Sequence, residues 1–173
     1  GAQTYTVGTT LSSTDQEQIL PVCANSNEAT LQLRDLNGDL NGGEYAVTIL
    51  SFFTSWCTNC QSEVGELNQM YEDYSQQGLR VLSFGRQWNY PYNCSQWADL
   101  GATYPLLDDD SINVWYWFGL GYVPQNVILD HNMTVRYSLV GFNPEQMRTL
   151  VEQLLTELPT VAIGPDASLP NGF

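Results

Sequence analysis

The stretch Ala46-Val47-Thr48-Ile49-Leu50-Ser51-Phe52-Phe53-Thr54-Ser55-Trp56-Cys57-Thr58-Asn59-Cys60-Gln61-Ser62-Glu63 runs from β-branched and aromatic residues straight into two cysteines separated by two residues. The nearly continuous apolar run from Ala46 to Phe53 predicts a strand buried on both faces. Beyond it Val64, Leu67, Met70, Tyr71 and Tyr74 recur at the helical period until Gly78, which suits a C-terminal cap. Strand therefore passes to helix at the cysteines. Leu79 to Phe84 reads as a second buried strand, which completes a βαβ unit with a right-handed crossover and parallel strands.

Two cysteines three apart at a helix start share a helical face and lie close enough to form and break a disulfide. Unpaired N–H groups and the positive helix end stabilise a thiolate at the first position, so Cys57 is the expected attacking thiol and Cys60 the less exposed resolving thiol. Thr58 and Asn59 add no charge between them. Half a zinc site and a fixed disulfide are the alternatives for a CxxC pair. Zinc requires two further ligands, and Cys23, Cys94 and His131 form no second CxxC or CxxH arrangement. No metal and no cofactor are expected.

Working outward, Leu31 to Leu36 alternates apolar and polar residues and Asn37-Gly38-Asp39 offers turn chemistry, so a short hairpin is expected to open the domain. Ser95 to Leu100 and Ser111 to Phe118 read as helices, the second with Asp108-Asp109-Asp110-Ser111 as cap and first-turn acids. Asn126 to Asp130 and Thr134 to Val140 flank a tight turn at His131-Asn132, and Pro144 to Leu158 is amphipathic. The sheet is thus expected to be mixed. The organisation read from these patterns is an N-terminal extension over residues 1–29, one domain over 30–158 and a C-terminal tail over 159–173.

The 173 residues suit one core. A formal charge of −14, with five arginines scattered and no lysine, argues against nucleic acid and favours cationic or neutral partners. No apolar run reaches the length of a membrane span. The start at Gly1-Ala2 shows no export signal, so any such signal is expected to have been removed or never to have existed. Four cysteines lean toward an extracytoplasmic setting, periplasmic or secreted.

The segment from Val47 to Glu63 resembles the TlpA/ResA-like redoxin branch of the thioredoxin superfamily, related to the AhpC/TSA proteins. Leu33 to Gly38 is similar to that branch's opening L-x-D-L-N-G, and Gly121-Tyr122-Val123-Pro124-Gln125-Asn126-Val127-Ile128-Leu129-Asp130 to its G-V-x-P-x-x-F-L-I-D signature. The resemblance covers roughly residues 31–157. It implies an α/β, thioredoxin-like, three-layer α/β/α fold with a central mixed sheet. It also implies a cis Val123-Pro124 bond beside the dithiol, where an extended partner segment can pair. Glu63 matches an acidic residue kept near the dithiol, where a carboxylate can relay a proton to or from Cys60. Asn59 and Gly65 depart from the branch, which commonly has Pro at both places. Ser51 replaces the buried Asp of thioredoxin itself.

The expected activity is thiol–disulfide oxidoreduction, with Cys57, Cys60, Pro124 and Glu63 as its machinery and Trp56, Thr58, Asn59 and Val123 as substrate contacts. Its partners would be protein thiols or disulfides together with an upstream redox partner. Two other readings stay open. Thr54 precedes Cys57 as in the T-x-x-C of peroxiredoxins, although Leu50 stands where they have proline. A permanently oxidised module that binds a partner or a metal such as copper is the other. Cys23 and Cys94 can pin the extension by a disulfide, relay with Cys57, or stand as inert thiols. The aromatic residues from Trp88 to Tyr122 suit either core packing or a groove for a partner protein.

Overall fold

The computed structural model describes residues 4–159. Its frame is a seven-stranded mixed sheet in the order β2-β1-β5-β4-β3-β6-β7. The strands are β1 (Leu20–Ala24), β2 (Thr30–Leu31), β3 (Val47–Thr54), β4 (Leu79–Arg86), β5 (Leu106–Asp108), β6 (Gln125–Leu129) and β7 (Val135–Val140). β3, β4 and β5 run parallel, whereas β6 pairs antiparallel with both β3 and β7. The helices are α1 (Ser13–Gln16), α2 (Thr58–Tyr74), α3 (Cys94–Ala98), α4 (Trp115–Phe118) and α5 (Pro144–Thr156). None of these is long and apolar enough to cross a membrane.

The sheet has a core on each side, which makes the three layers and gives the thioredoxin-like architecture. Every residue of β3 is buried, with Val47, Ile49 and Phe53 in one core and Leu50 and Phe52 in the other. The first core takes Val64, Leu67 and Met70 of α2 together with Met147, Val151 and Leu154 of α5. The second takes Trp115, Trp117 and Phe118 of α4 and Val127 and Leu129 of β6. A strand that serves two cores must be apolar on both faces, which is why the run from Ala46 to Phe53 is almost unbroken.

Two expectations give way. The alternating stretch before Asn37 forms no hairpin: only Thr30–Leu31 is strand, and Leu33–Leu36 is a 3₁₀ turn that buries Leu33 and Leu36 while Gln32 and Asp35 form a capping box. The helix expected from Ser111 is confined to Trp115–Phe118, because Asn113 takes a left-handed conformation with φ 62°. Its amides are capped by the buried Asp109, which accepts from Val114 N at 2.8 Å and Trp115 N at 3.1 Å. β5, only three residues long, carries no local pattern that announces it.

Within the segment read as an extension, β1 pairs antiparallel with β5, and Tyr5, Leu11 and Leu20 are buried in the second core. The C-terminal tail from residue 160 onward lies outside the described residues. At the end of α2 and its following turn, Gly78 is left-handed with φ 118°, as its capping role requires. A Cβ there would stand 2.8 Å from Leu158.

Cys23 of β1 and Cys94 of α3 are disulfide-bonded across a separation of 71 residues. Closing a loop of that length is worth about 4 kcal/mol on the chain-entropy account. Replacing both cysteines with serine is therefore expected to lower the unfolding free energy by roughly 2–5 kcal/mol in urea titration. A change below about 0.5 kcal/mol would mean that packing alone secures β1.

Candidate active site

β3 ends at Thr54 and α2 starts at Thr58, so the three residues between them form a sharp connection at the end of the sheet. The connection is held on every side. Ser55 N donates to Arg86 O and Cys57 N to Thr54 O, each at 3.1 Å. The Ser55 hydroxyl donates to Tyr92 O at 2.8 Å and accepts from Tyr92 N at 2.7 Å, and Gln61 Nε2 donates to Ser55 O at 3.1 Å. Trp56 donates its indole N–H to Gln87 Oε1, and Gln87 N donates to Asp110 Oδ1 at 3.1 Å. The loop after β4 thus grips the residues just before the dithiol.

Cys57 is the N-cap of α2, and its Sγ accepts from Cys60 N at 3.1 Å. The helix continues for 17 residues, long enough for an aligned backbone dipole to favour negative charge at this end. Cys57 and Cys60 are bonded to each other with Cα atoms 5.2 Å apart. Cys57 is 5% exposed and Cys60 only 1%, whereas Thr58 and Asn59 between them face solvent. The more exposed cysteine is thus also the one whose sulfur faces a helix amide.

Val123-Pro124 is cis. In the β3–β6 register Phe52 lies opposite Gln125, and continuing by one residue brings Pro124 beside Phe53, close to the turn into the dithiol. Pro124 O accepts from Gly141 N at 2.7 Å, while the N–H and C=O of Val123 have no backbone partner among the described residues.

Glu63 follows Cys60 by three positions and so shares its face of α2. It is buried, its Oε1 accepting from Ser51 Oγ at 3.4 Å and its Oε2 lacking any partner. Removal from water pushes its pKa up to about 8, an effect that Asn126 and Ser51, paired across β3 and β6, only partly oppose. A carboxyl with such a value exchanges protons near neutral pH.

Several participants were not legible beforehand. Ser55, Gln87 and Arg86 matter through bonds to segments distant in sequence, and no local pattern announces those. Asp109, one of the acids expected to cap the helix from Ser111, does cap α4, but from a buried position; burial pushes its pKa up to about 6 against the pull of the Val114 and Trp115 amides and Arg86. The Arg86 guanidinium lies 4.5 Å from the Trp115 ring and 5.6 Å from that of Tyr116. Part of the aromatic cluster is core: Trp97 stacks on Phe53 at 3.9 Å. No group of metal-ligating side chains occurs among the described residues.

Thiol-disulfide oxidoreductase ResA of Geobacillus thermodenitrificans is 28% identical over 111 residues, covering 60% of this chain and 63% of that protein. The chain thus spans less than two thirds of the length of that relative. Among solved structures, a secreted Mycobacterium tuberculosis disulfide oxidoreductase homologous to Escherichia coli DsbE superposes with TM-score 0.65 at 14% identity, covering 83% of this chain and all of the other. Peroxiredoxin Q of Xanthomonas campestris superposes with TM-score 0.64 at 14% identity, covering 89% and 100%. At such identities these two likenesses speak for the fold alone. The family model described as AhpC/TSA matches residues 16–138, which include the dithiol, Glu63 and Pro124 and make up most of the sequence, and the chain therefore belongs to the AhpC/TSA family.

Proposed function

We propose that the chain is a thiol–disulfide oxidoreductase that exchanges disulfides with partner proteins through Cys57 and Cys60. The observation that carries this reading is the closed Cys57–Cys60 pair at the start of α2, with an amide directed at Cys57 Sγ. In the reduced form the Cys57 thiolate attacks a partner disulfide, and Cys60 resolves the mixed disulfide. Trp56, Thr58, Asn59 and the open backbone of Val123 beside Pro124 meet the partner's extended segment. A second redox partner returns the pair to its starting state.

An extracytoplasmic setting fits this function. Cys23 is exposed, so the Cys23–Cys94 bond suits a compartment that does not reduce it.

Peroxide reduction is the weaker reading. Its support is Thr54, three residues before Cys57, yet the buried Thr54 hydroxyl has no hydrogen-bond partner among the described residues and so gives none to the sulfur. Cys57 is instead paired with Cys60.

Redox titration in glutathione or dithiothreitol buffers, followed by Trp fluorescence and thiol trapping, tests the proposal. Wild type is expected to show a reversible two-electron transition. Cys60→Ser is expected to lose that transition and to hold Cys57 as a mixed disulfide with the buffer thiol. A wild-type dithiol that never titrates, or one that turns over peroxide faster than disulfides, would displace this function.

Glu63 provides a pH test. Its folded pKa of about 8 lies above the ordinary 4.5, so the native state holds a proton that the unfolded chain has lost. Stability is therefore expected to fall as pH rises from about 4.5 to about 8, and Glu63→Gln to flatten that fall in urea titrations. As a proton relay to Cys60, Glu63 also predicts that Glu63→Gln slows disulfide exchange by at least about tenfold near pH 7. Loss of the stability slope with no change in rate would leave Glu63 a buried residue without a part in the exchange.

A further inference from the structure

The segment from Trp115 to Val123 holds apolar side chains out into solvent next to the dithiol. Leu120 is 81% exposed, Tyr122 66%, Tyr116 46% and Trp56 46%. Large apolar side chains grouped in this way on an otherwise acidic surface mark a place where another molecule binds.

The backbone that presents them is fixed. Trp115, Trp117 and Phe118 are buried in the second core, Asp109 caps their amides, and Gln125 Nε2 holds Phe118 O at 2.9 Å. Gly121 turns the chain with φ 99°, and a Cβ there would stand 3.4 Å from the Trp115 ring, so the turn sits directly on the buried indole. A platform already ordered costs a partner little entropy to use.

Contacts join this platform to the dithiol on both sides. Tyr122 leads directly into Val123 and Pro124. Tyr116 stacks on Trp115 at 5.6 Å, and both rings cover Arg86, whose carbonyl accepts from Ser55 N. On the far side of Arg86, Asp110 holds Gln87, which holds Trp56.

The charge of the rim is one-sided. Asp110 is exposed, whereas Arg86, the cation in contact with the patch, lies under the two aromatic rings with its side chain 15% exposed and its Nε 4.0 Å from Asp110. The rest of the chain adds to this field, with net charge −14 and no lysine. A cationic segment is drawn to such a rim and an anionic one is repelled.

We propose that Tyr116, Leu120 and Tyr122, with Asp110 beside them, are the docking surface for an extended polypeptide segment with an apolar side chain beside its cysteine and lysine or arginine further out. This substrate class rests on the thiol–disulfide function proposed above. The surface is continuous with the Val123 backbone edge, so the same segment pairs there and lays its neighbouring side chain on Leu120 and Tyr122. In the exchange the Cys57 thiolate displaces one peptide thiolate from a peptide disulfide, and Cys60 then displaces the other. The peptide disulfide gains two electrons and two protons, and the Cys57–Cys60 disulfide forms.

The test uses protein reduced with dithiothreitol, freed of excess reductant and mixed with disulfide-linked peptides, with the rate read from Trp fluorescence. One peptide carries leucine beside its cysteine and lysines outside; the other carries serine and glutamates. The leucine–lysine peptide is expected to react at least about tenfold faster at low salt. Most of the charge-dependent advantage is expected to vanish near 1 M salt, where screening acts within about 3 Å. In the double variant Leu120→Ser with Tyr122→Ser, the ratio between the two peptides is expected to drop severalfold, with unchanged urea stability showing that the fold is intact. Equal rates for the two peptides in wild type, or a ratio unmoved in the variant, would overturn the docking surface. Wild-type reaction with hydroxyethyl disulfide is measured alongside: if it proceeds while the peptide preference is missing, only the docking surface falls, and if it too is absent, the dithiol function falls with it.

Discussion

The contact between Cys60 N and Cys57 Sγ organises this molecule's chemistry. A helix leaves its first N–H groups without backbone partners, and whatever stands at the N-cap must satisfy them. Here that group is a sulfur. A thiolate accepts such a bond better than a thiol or a disulfide sulfur does, so the geometry of the oxidised pair already stabilises the charged form that appears on reduction. For the contact to persist, the start of α2 must be held against the end of β3. That explains why Ser55, Thr54 and Arg86 tie so few residues with so many backbone bonds.

Glu63 introduces an opposing constraint. Burying a carboxyl under the sheet with only Ser51 Oγ bonded to it and Oε2 unpartnered is costly when the group is ionised. The neutral form meets less penalty, and the pKa rises to about 8 as a result. The dithiol therefore lies between a helix terminus that favours negative charge at Cys57 and a buried carboxyl, three residues past Cys60, that burial holds neutral up to about pH 8. The two cysteines, three residues apart, differ in exposure and in the backbone amide that is directed at Cys57 Sγ alone.

What the sequence disclosed follows the length over which burial repeats. β3, α2, β4, α5 and the β6–β7 hairpin each carry a period long enough to survive local irregularities, and all were legible. β5 is three residues long and β2 two, too short for any period, and β1 is recognisable only through its pairing with the distant β5. Leu33 and Leu36 illustrate a real ambiguity, because alternation and a single helical turn place the same two leucines inward. The Gln32–Asp35 capping box was the signal that distinguishes them. The dithiol could be named because motif spacing reports it, and Glu63 and Pro124 because the resemblance to the redoxin branch implies them. The Ser55–Tyr92 clasp and the Asp110–Gln87–Trp56 chain could not, since they depend on which loops the sheet order brings together.

The location of the dithiol also bears on the size of what it meets. A cavity of about 820 Å³ lined by Asn25, Glu28, Asp35, Arg80 and Pro105 among others includes no residue of the dithiol segment. Cys57 instead lies just beneath the surface, 5% exposed, with Trp56, Thr58 and Asn59 exposed around it. An extended chain can use an open strand-like edge, because its own backbone supplies the matching hydrogen bonds and its side chains alternate toward the protein. The rigid aromatic platform then adds apolar contact to that edge, so a flat site recognises a polypeptide without enclosing it.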